Sequence, residues 1–196
     1  DADGDMDVLS ASIEDDKIAW YENDGSESFT EHAISTSAIQ ARSVHAADVD
    51  GDGDMDVLSA SYGDDKVVWY ENDGSESFTE HAISTSADAA HSVYAADVDG
   101  DGDMDVLSAS FNDNKIAWYE NDGSESFTEH VISTSADGAR SVYAADVDGD
   151  GDMDVLSASS FDNKIAWYEN DGSESFTEHA ISTSAIQARS VHAADV

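Results

Sequence analysis

Five aspartates occupy alternate positions from Asp48 to Asp56, inside the run DVDGDGDMDVLSAS. Carboxylates two residues apart on a tight loop converge their oxygens, and without a counter-charge their repulsion costs stability. A hard cation resolves that conflict. Calcium takes about six to eight oxygen ligands in irregular geometry, whereas magnesium demands a stricter octahedron and keeps its waters. Gly51 and Gly53 supply the backbone reversals that a ligand cage requires. An acidic run without such features is usually just a solvated face. The spacing therefore predicts a calcium loop. An EF-hand is excluded, because its twelfth position must be a bidentate Glu between helices, and here it is Ser59.

The loop recurs. DVDGDGDMDVLSAS begins again at Asp97 and at Asp146, the chain opens on DADGDMDVLSAS, and it closes on HAADV. Met6, Met55, Met104 and Met153 are spaced by 49 residues, as are Trp20, Trp69, Trp118 and Trp167, and four such periods account for all 196 residues. A fixed period of this length indicates a solenoid, a propeller or an array. The chain reads as one domain over 1–196, with repeats 1–49, 50–98, 99–147 and 148–196.

The elements that must hold these loops are strands. Within one repeat, SVHAADV (Ser43–Val49), MDVLSAS (Met55–Ser61), KVVWYEN (Lys66–Asn72) and FTEHAIS (Phe78–Ser84) are short, β-branched and aromatic, and partly alternating. The Asp-Gly loop, YGDD, NDGSES and TSADAAH separate them. Four short antiparallel strands per repeat predict an all-β fold, a β-propeller of four-stranded blades. The blades run over about 43–84, 92–133, 141–182, and 190–196 plus 1–35. Helical repeats fail on apolar spacing; a parallel β-helix is the competing architecture.

DVDGDGDMD resembles the metal loop of the FG-GAP/VCBS repeats, β-propeller units of integrin α-subunits, a fungal lectin and many bacterial surface proteins. The resemblance covers all four repeats, although a clear FG…GAP signature is absent, which places the chain nearer the VCBS branch. It implies calcium at Asp48, Asp50, Asp52 and Asp56, with Asp54 where the family usually offers a backbone carbonyl. The equivalent sets are Asp97, Asp99, Asp101, Asp103, Asp105, and Asp146, Asp148, Asp150, Asp152, Asp154. A fourth set joins Asp195 to Asp1, Asp3, Asp5 and Asp7 from opposite ends of the chain. Enclosed by carboxylates and carbonyls, the ion's role is to pin a hairpin, so binding free energy becomes folding free energy.

With 7 Lys and Arg against 45 Asp and Glu, the net charge of −38 argues against nucleic acid or an anionic membrane as partner. No cysteine is present, so neither disulfides nor zinc-thiolate sites can form. Calcium loops of modest affinity fill where calcium is plentiful, which points outside the cell or to its surface. No apolar run approaches the ~18 residues of a membrane span. A secretion signal is expected outside this segment.

The copies differ at two loops, IEDD/YGDD/FNDN/SFDN and AIQAR/ADAAH/ADGAR/AIQAR. Successive connections in an up-and-down blade alternate between faces, so both drifting loops share the face opposite the metal loops. Binding residues are commonly placed on such loops. Tyr62, Phe111, Phe161, Arg42, His91, Arg140 and Arg189 are the candidate contacts to a glycan or a protein ligand. Loops also drift where nothing constrains them, which leaves a purely structural repeat element, natural or designed, as the other reading. The Trp-Tyr pairs point to opposite faces of a strand and are expected between blades. His32, His81, His130 and His179 read as surface histidines near carboxylates. With no G-x-S-x-G or H-E-x-x-H and no residue unique to one repeat that could serve as a catalytic centre, an enzyme is not expected.

Closure can take three forms. The chain closes on itself with four blades, exchanges ends with a second copy to make an eight-bladed ring, or is an excerpt of a longer array. Family rings are larger than four blades, which favours the homodimer.

Overall fold

The computed structural model describes residues 4–196. Asp1 and Asp3 of the fourth metal set lie outside the described residues. The fold is all-β, a propeller arrangement in which each repeat contributes one antiparallel sheet. Strands β1 (Val8–Ser12), β2 (Lys17–Asn23) and β3 (Phe29–Ser35) form a three-stranded sheet. Three four-stranded sheets follow: β4 (Ala41–Ala47), β5 (Asp56–Ser61), β6 (Lys66–Asn72), β7 (Phe78–Ser84); β8 (Ala90–Ala96), β9 (Asp105–Ser110), β10 (Lys115–Asn121), β11 (Phe127–Ser133); and β12 (Ala139–Ala145), β13 (Asp154–Ser159), β14 (Lys164–Asn170), β15 (Phe176–Ser182).

The third and fourth strands of each repeat fall where the sequence places them. The first is shifted: it runs Ala41–Ala47 rather than Ser43–Val49. Val49 leaves the ladder because its N–H is claimed by the Asp56 carboxylate, at 3.0 Å. At the other end a bulge between Ala41 and Ser43 extends the pairing with β5.

Blades pack face to face, and the Trp-Tyr pairs supply most of the large buried side chains. Tyr119 looks back into a cluster with Leu58 and Trp69, while its neighbour Trp118 looks forward to Val142, Val155 and Tyr168. Phe127 and Phe176 meet Trp69 and Trp118 edge-on at 6.3 and 6.5 Å. Burying one such aromatic removes roughly 150–250 Å² from water, an upper bound of about 4–6 kcal/mol.

The first strands of the blades line up side by side. Val93 N–H donates to Ser43 Oγ and Val142 N–H to Ser92 Oγ, each at 3.3 Å. His45, Tyr94 and Tyr143 meet in tilted ring contacts at 4.6 and 4.7 Å. The C-terminal segment continues this series: Val191 N–H donates to Ser141 Oγ at 3.3 Å, and His192 lies 4.4 Å from Tyr143. It occupies the place of another first strand, yet among the described residues no strand pairs with it. The expected blade made of 190–196 and 1–35 is therefore not assembled within one chain. Among the described residues no helix is long and apolar enough to cross a membrane.

Candidate functional site

Between β4 and β5, Asp48, Asp50 and Asp56 can each bring one carboxylate oxygen within 4.8 Å of the others; Asp146, Asp148 and Asp154 do so between β12 and β13, and Asp97, Asp99 and Asp101 between β8 and β9. Hydrogen bonds along the loop fix this convergence. Gly53 N–H donates to Asp48 Oδ2 at 3.1 Å, Asp52 N–H to Asp50 Oδ1 at 3.1 Å, and Asp54 N–H to Asp52 Oδ1 at 2.9 Å. Gly53 sits at φ +99°, a conformation that strains any residue with a Cβ. Asp48 Oδ1 is buried and has no hydrogen-bond partner among the described residues. A buried carboxylate oxygen beside two further carboxylates fits a cation, and hard oxygen donors suit calcium.

The five acids do not share one task. Asp56 is fully buried and accepts from Asn72 N–H at 2.8 Å as well as from Val49 N–H, tying the loop to two strands. Asp105 and Asp154 repeat both bonds at 2.8–2.9 Å. Asp54 turns its carboxylate away from the cluster onto Gly74 of the NDGSES loop, where a Cβ would collide with it; Asp5, Asp103 and Asp152 do the same at Gly25, Gly123 and Gly172. Their side chains thus face a neighbouring loop, leaving only the backbone carbonyl for a metal. Asp5, Asp7 and Asp195 form no three-acid group among the described residues. Sequence reasoning missed Asn121 and Asn170, whose Nδ2 reaches across to Val49 O and Val98 O of the preceding blade at 3.0 and 3.1 Å. Their invariance in the four YEN segments was the available signal.

The drifting loops lie together on the other face. Within each blade they are joined by backbone bonds, Tyr62 N–H to Gln40 O at 3.2 Å and Phe111 N–H to Ala89 O at 3.1 Å. All seven predicted contact residues converge there. Phe111 lies 6.2 Å from Tyr62, 5.1 Å from Phe161 and 6.3 Å from His91. Arg42 stands over Tyr62 at 4.9 Å and Arg140 over Phe111 at 4.7 Å. Arg140, Arg189 and Phe161 line a cavity of about 350 Å³. Phe161 is displaced by one residue from the Tyr62 and Phe111 positions, since Ser160 takes the equivalent place and its N–H bonds Gly138 O. The four TEH histidines stack on Trp20, Trp69, Trp118 and Trp167 at 4.5–4.7 Å and pair with Glu22, Glu71, Glu120 and Glu169 at 2.6–2.9 Å. Glu174 joins Glu120 and His130 from the neighbouring blade, a meeting that only the packing reveals.

The FG-GAP-like repeat family matches residues 1–59, 48–108, 97–157 and 146–196. The chain belongs to this family. No curated protein matches this FG-GAP-like chain by sequence. Its fold is similar to that of an Agrocybe aegerita lectin that recognises non-reducing terminal N-acetylglucosamine, with TM-score 0.56 and 19% identity over 89% of this chain and 52% of the lectin. It is also similar to an auxiliary nutrient binding protein of Bacteroides ovatus, with TM-score 0.60 and 11% identity over 91% of this chain and 44% of that one. The FG-GAP-like chain thus spans about half the length of these structures.

Burial sets the acid chemistry of the metal loops in the FG-GAP-like chain. It raises Asp56, partly offset by the Asn72 and Val49 N–H groups, and lifts Asp105 to about 6 against similar donors. Asp50 and Asp99 are raised by burial first and then by neighbouring aspartates. A carboxyl whose folded pKa exceeds its unfolded value near 3.8 stabilises the fold fully below that value, and the contribution is lost as pH rises through the folded pKa. The metal-free protein should therefore melt higher at pH 5 than at pH 7. With saturating calcium the sign reverses, because the ligands must be deprotonated. Thermal scans at both pH values, with chelator and with calcium, check this; parallel pH trends would refute it.

Proposed function

We propose that this chain is a calcium-stabilised, extracellular binding module that engages a glycan or protein ligand on the face opposite its metal loops, and that two copies complete one ring. The observation that carries the binding reading is the convergence of Tyr62, Phe111 and Phe161 with Arg42, His91, Arg140 and Arg189 from successive repeats on that face. Aromatic faces beside cations give a recognition surface its apolar contact and its polar handles. The lectin and nutrient-binding neighbours are consistent with such a module.

Calcium would be held by Asp48, Asp50 and Asp56, by Asp97, Asp99 and Asp101, and by Asp146, Asp148 and Asp154, together with loop carbonyls, and when bound it supplies positive charge that cancels carboxylate repulsion. Asp56, Asp105 and Asp154 also orient the loop through their bonds to strand N–H groups. This separates the two faces by role: the metal face sets rigidity and the other face meets the ligand.

A glycan and peptide array on the calcium-loaded protein should give binders, and replacing Tyr62, Phe111 and Phe161 together by Ala should abolish their signal while the melting temperature falls by only a few degrees. Equal loss of binding from mutations in the NDGSES loops would refute the face assignment. An array with no binder at all would favour the purely structural element.

A further inference from the structure

Seven cationic side chains exist in this chain, and the structure sorts them into two groups. Every lysine is bracketed by carboxylates: Lys17 by Asp15 and Glu31, Lys66 by Asp64 and Glu80, Lys115 by Asp113 and Glu129, Lys164 by Asp162 and Glu178, all within 3.7 Å. Among the described residues no carboxylate lies within 4.0 Å of Arg42, Arg140 or Arg189. Acids are plentiful on this face, and several of them are engaged elsewhere. Asp64, Asp113 and Asp162 serve the lysines, Asp16 and Asp65 accept from the N–H groups of Gln40 and Ala89, and Asp88 accepts from Asn112.

Arg42 and Arg140 are held over aromatic rings instead. Arg140 lies over Phe111, donates to His91 Nε2 at 3.1 Å, and receives His91 Nδ1–H on its own carbonyl at 2.9 Å. That pairing holds His91 neutral, and burial together with Arg140 pushes its pKa down. Arg140 Nε is buried without a partner. Burial first, then Arg189 and Arg42, lower the Arg140 pKa, which is the signature of a cationic cluster lacking its anion. Guanidinium forks without carboxylates, beside a cavity of about 350 Å³, form a receptor for a planar oxyanion.

We propose that this mouth binds the single carboxylate of an acidic sugar, with Arg140 and Arg189 on the carboxylate and Phe161 against the apolar face of the sugar ring. This rests on the reading of the drifting face as the ligand face and adds the ligand's chemical class. The molecule as a whole, at net charge −38, repels polyanions and so selects one isolated charge. Phe161, 64% exposed, offers a flat apolar wall next to the arginines, and the cavity of about 350 Å³ has room for a small sugar.

The test titrates glucuronic acid, glucose, inorganic sulfate and a hexaglutamate peptide into calcium-loaded protein, followed by NMR. Glucuronic acid should bind at least about tenfold more tightly than glucose, as expected for a charge-assisted bidentate contact, and weaken with added salt. R189Q, at an exposed position, should abolish that preference with an unchanged melting temperature. R189K should restore only part of it, because an ammonium lacks the fork. If R140Q unfolds, R189Q still decides. Equal binding of glucose and glucuronic acid, unaffected by R189Q, overturns the anion inference while leaving the binding face standing. Sulfate or hexaglutamate binding as tightly as glucuronic acid overturns the sugar. Failure of all four probes overturns the inference, and an empty array beside it would remove the binding module as well.

Discussion

Excess chelator at low ionic strength should lower the melting temperature by roughly 15–30 °C, and calcium should restore it. The magnitude follows from linkage. A site filled at a hundred times its dissociation constant stabilises by about 2.7 kcal/mol, so three loops give roughly 8 kcal/mol. In a domain of this size about 1 kcal/mol shifts the melt by about 2–4 °C. Three loops, 48–56, 97–105 and 146–154, lie wholly within the described residues. Removing the ion leaves each cluster as mutually repelling carboxylates, with Asp48 Oδ1 buried and unpartnered. Replacing Asp50, Asp99 and Asp148 together by Asn should raise the melt in chelator, through lost repulsion, and erase the gain from calcium. An identical melt with and without chelator would sink the calcium reading.

The sequence made much of this arrangement legible, because the 49-residue period repeats each signal. Lys66–Asn72 and Phe78–Ser84 stand where turn residues bound them, and the alternation of connections placed the two loop pairs on opposite faces. What escaped depends on contacts between segments far apart in the chain. Asp54 and Asp56 look equivalent as letters, yet one docks on Gly74 and the other caps Asn72, because Asp54 lies in the loop while Asp56 opens strand β5. The end of the first strand was misplaced since the Asp56 carboxylate outcompetes the ladder for Val49 N–H. The unpaired state of the arginines was also hidden: counting acids gives a surplus, and only the geometry shows those acids already engaged.

At micromolar concentration with calcium, the 196-residue chain should run at twice its 20.8 kDa. Strand β1 has the sequence of the last five residues of β5, VLSAS, but β5 is buried throughout whereas Val8 is 49% exposed and the rest of β1 is half-buried. The missing cover is a first strand. Ala188–Ala194 carries the sequence of β4, ARSVHAA, already sits beside β12, and pairs with no strand. Transferring the β4–β5 register sets His192 of the partner subunit opposite Leu9, Val191 of the partner subunit opposite Ser10, and Ala194 of the partner subunit opposite Asp7. A twofold axis makes the same joint twice, removes both open edges, and brings Asp195 of the partner subunit to the metal loop of Asp5 and Asp7. Val191 N–H turns to Ser141, so the alternate residues His192 and Ala194 aim their N–H groups at the joint. A194P removes a ladder N–H from a segment that no sheet of its own chain uses, so it should yield a folded monomer with an unchanged far-UV spectrum. Chelator should loosen the dimer too, since the joint contains a metal loop. A monomeric mass for the unaltered chain, or a dimer that survives A194P, would defeat exchange.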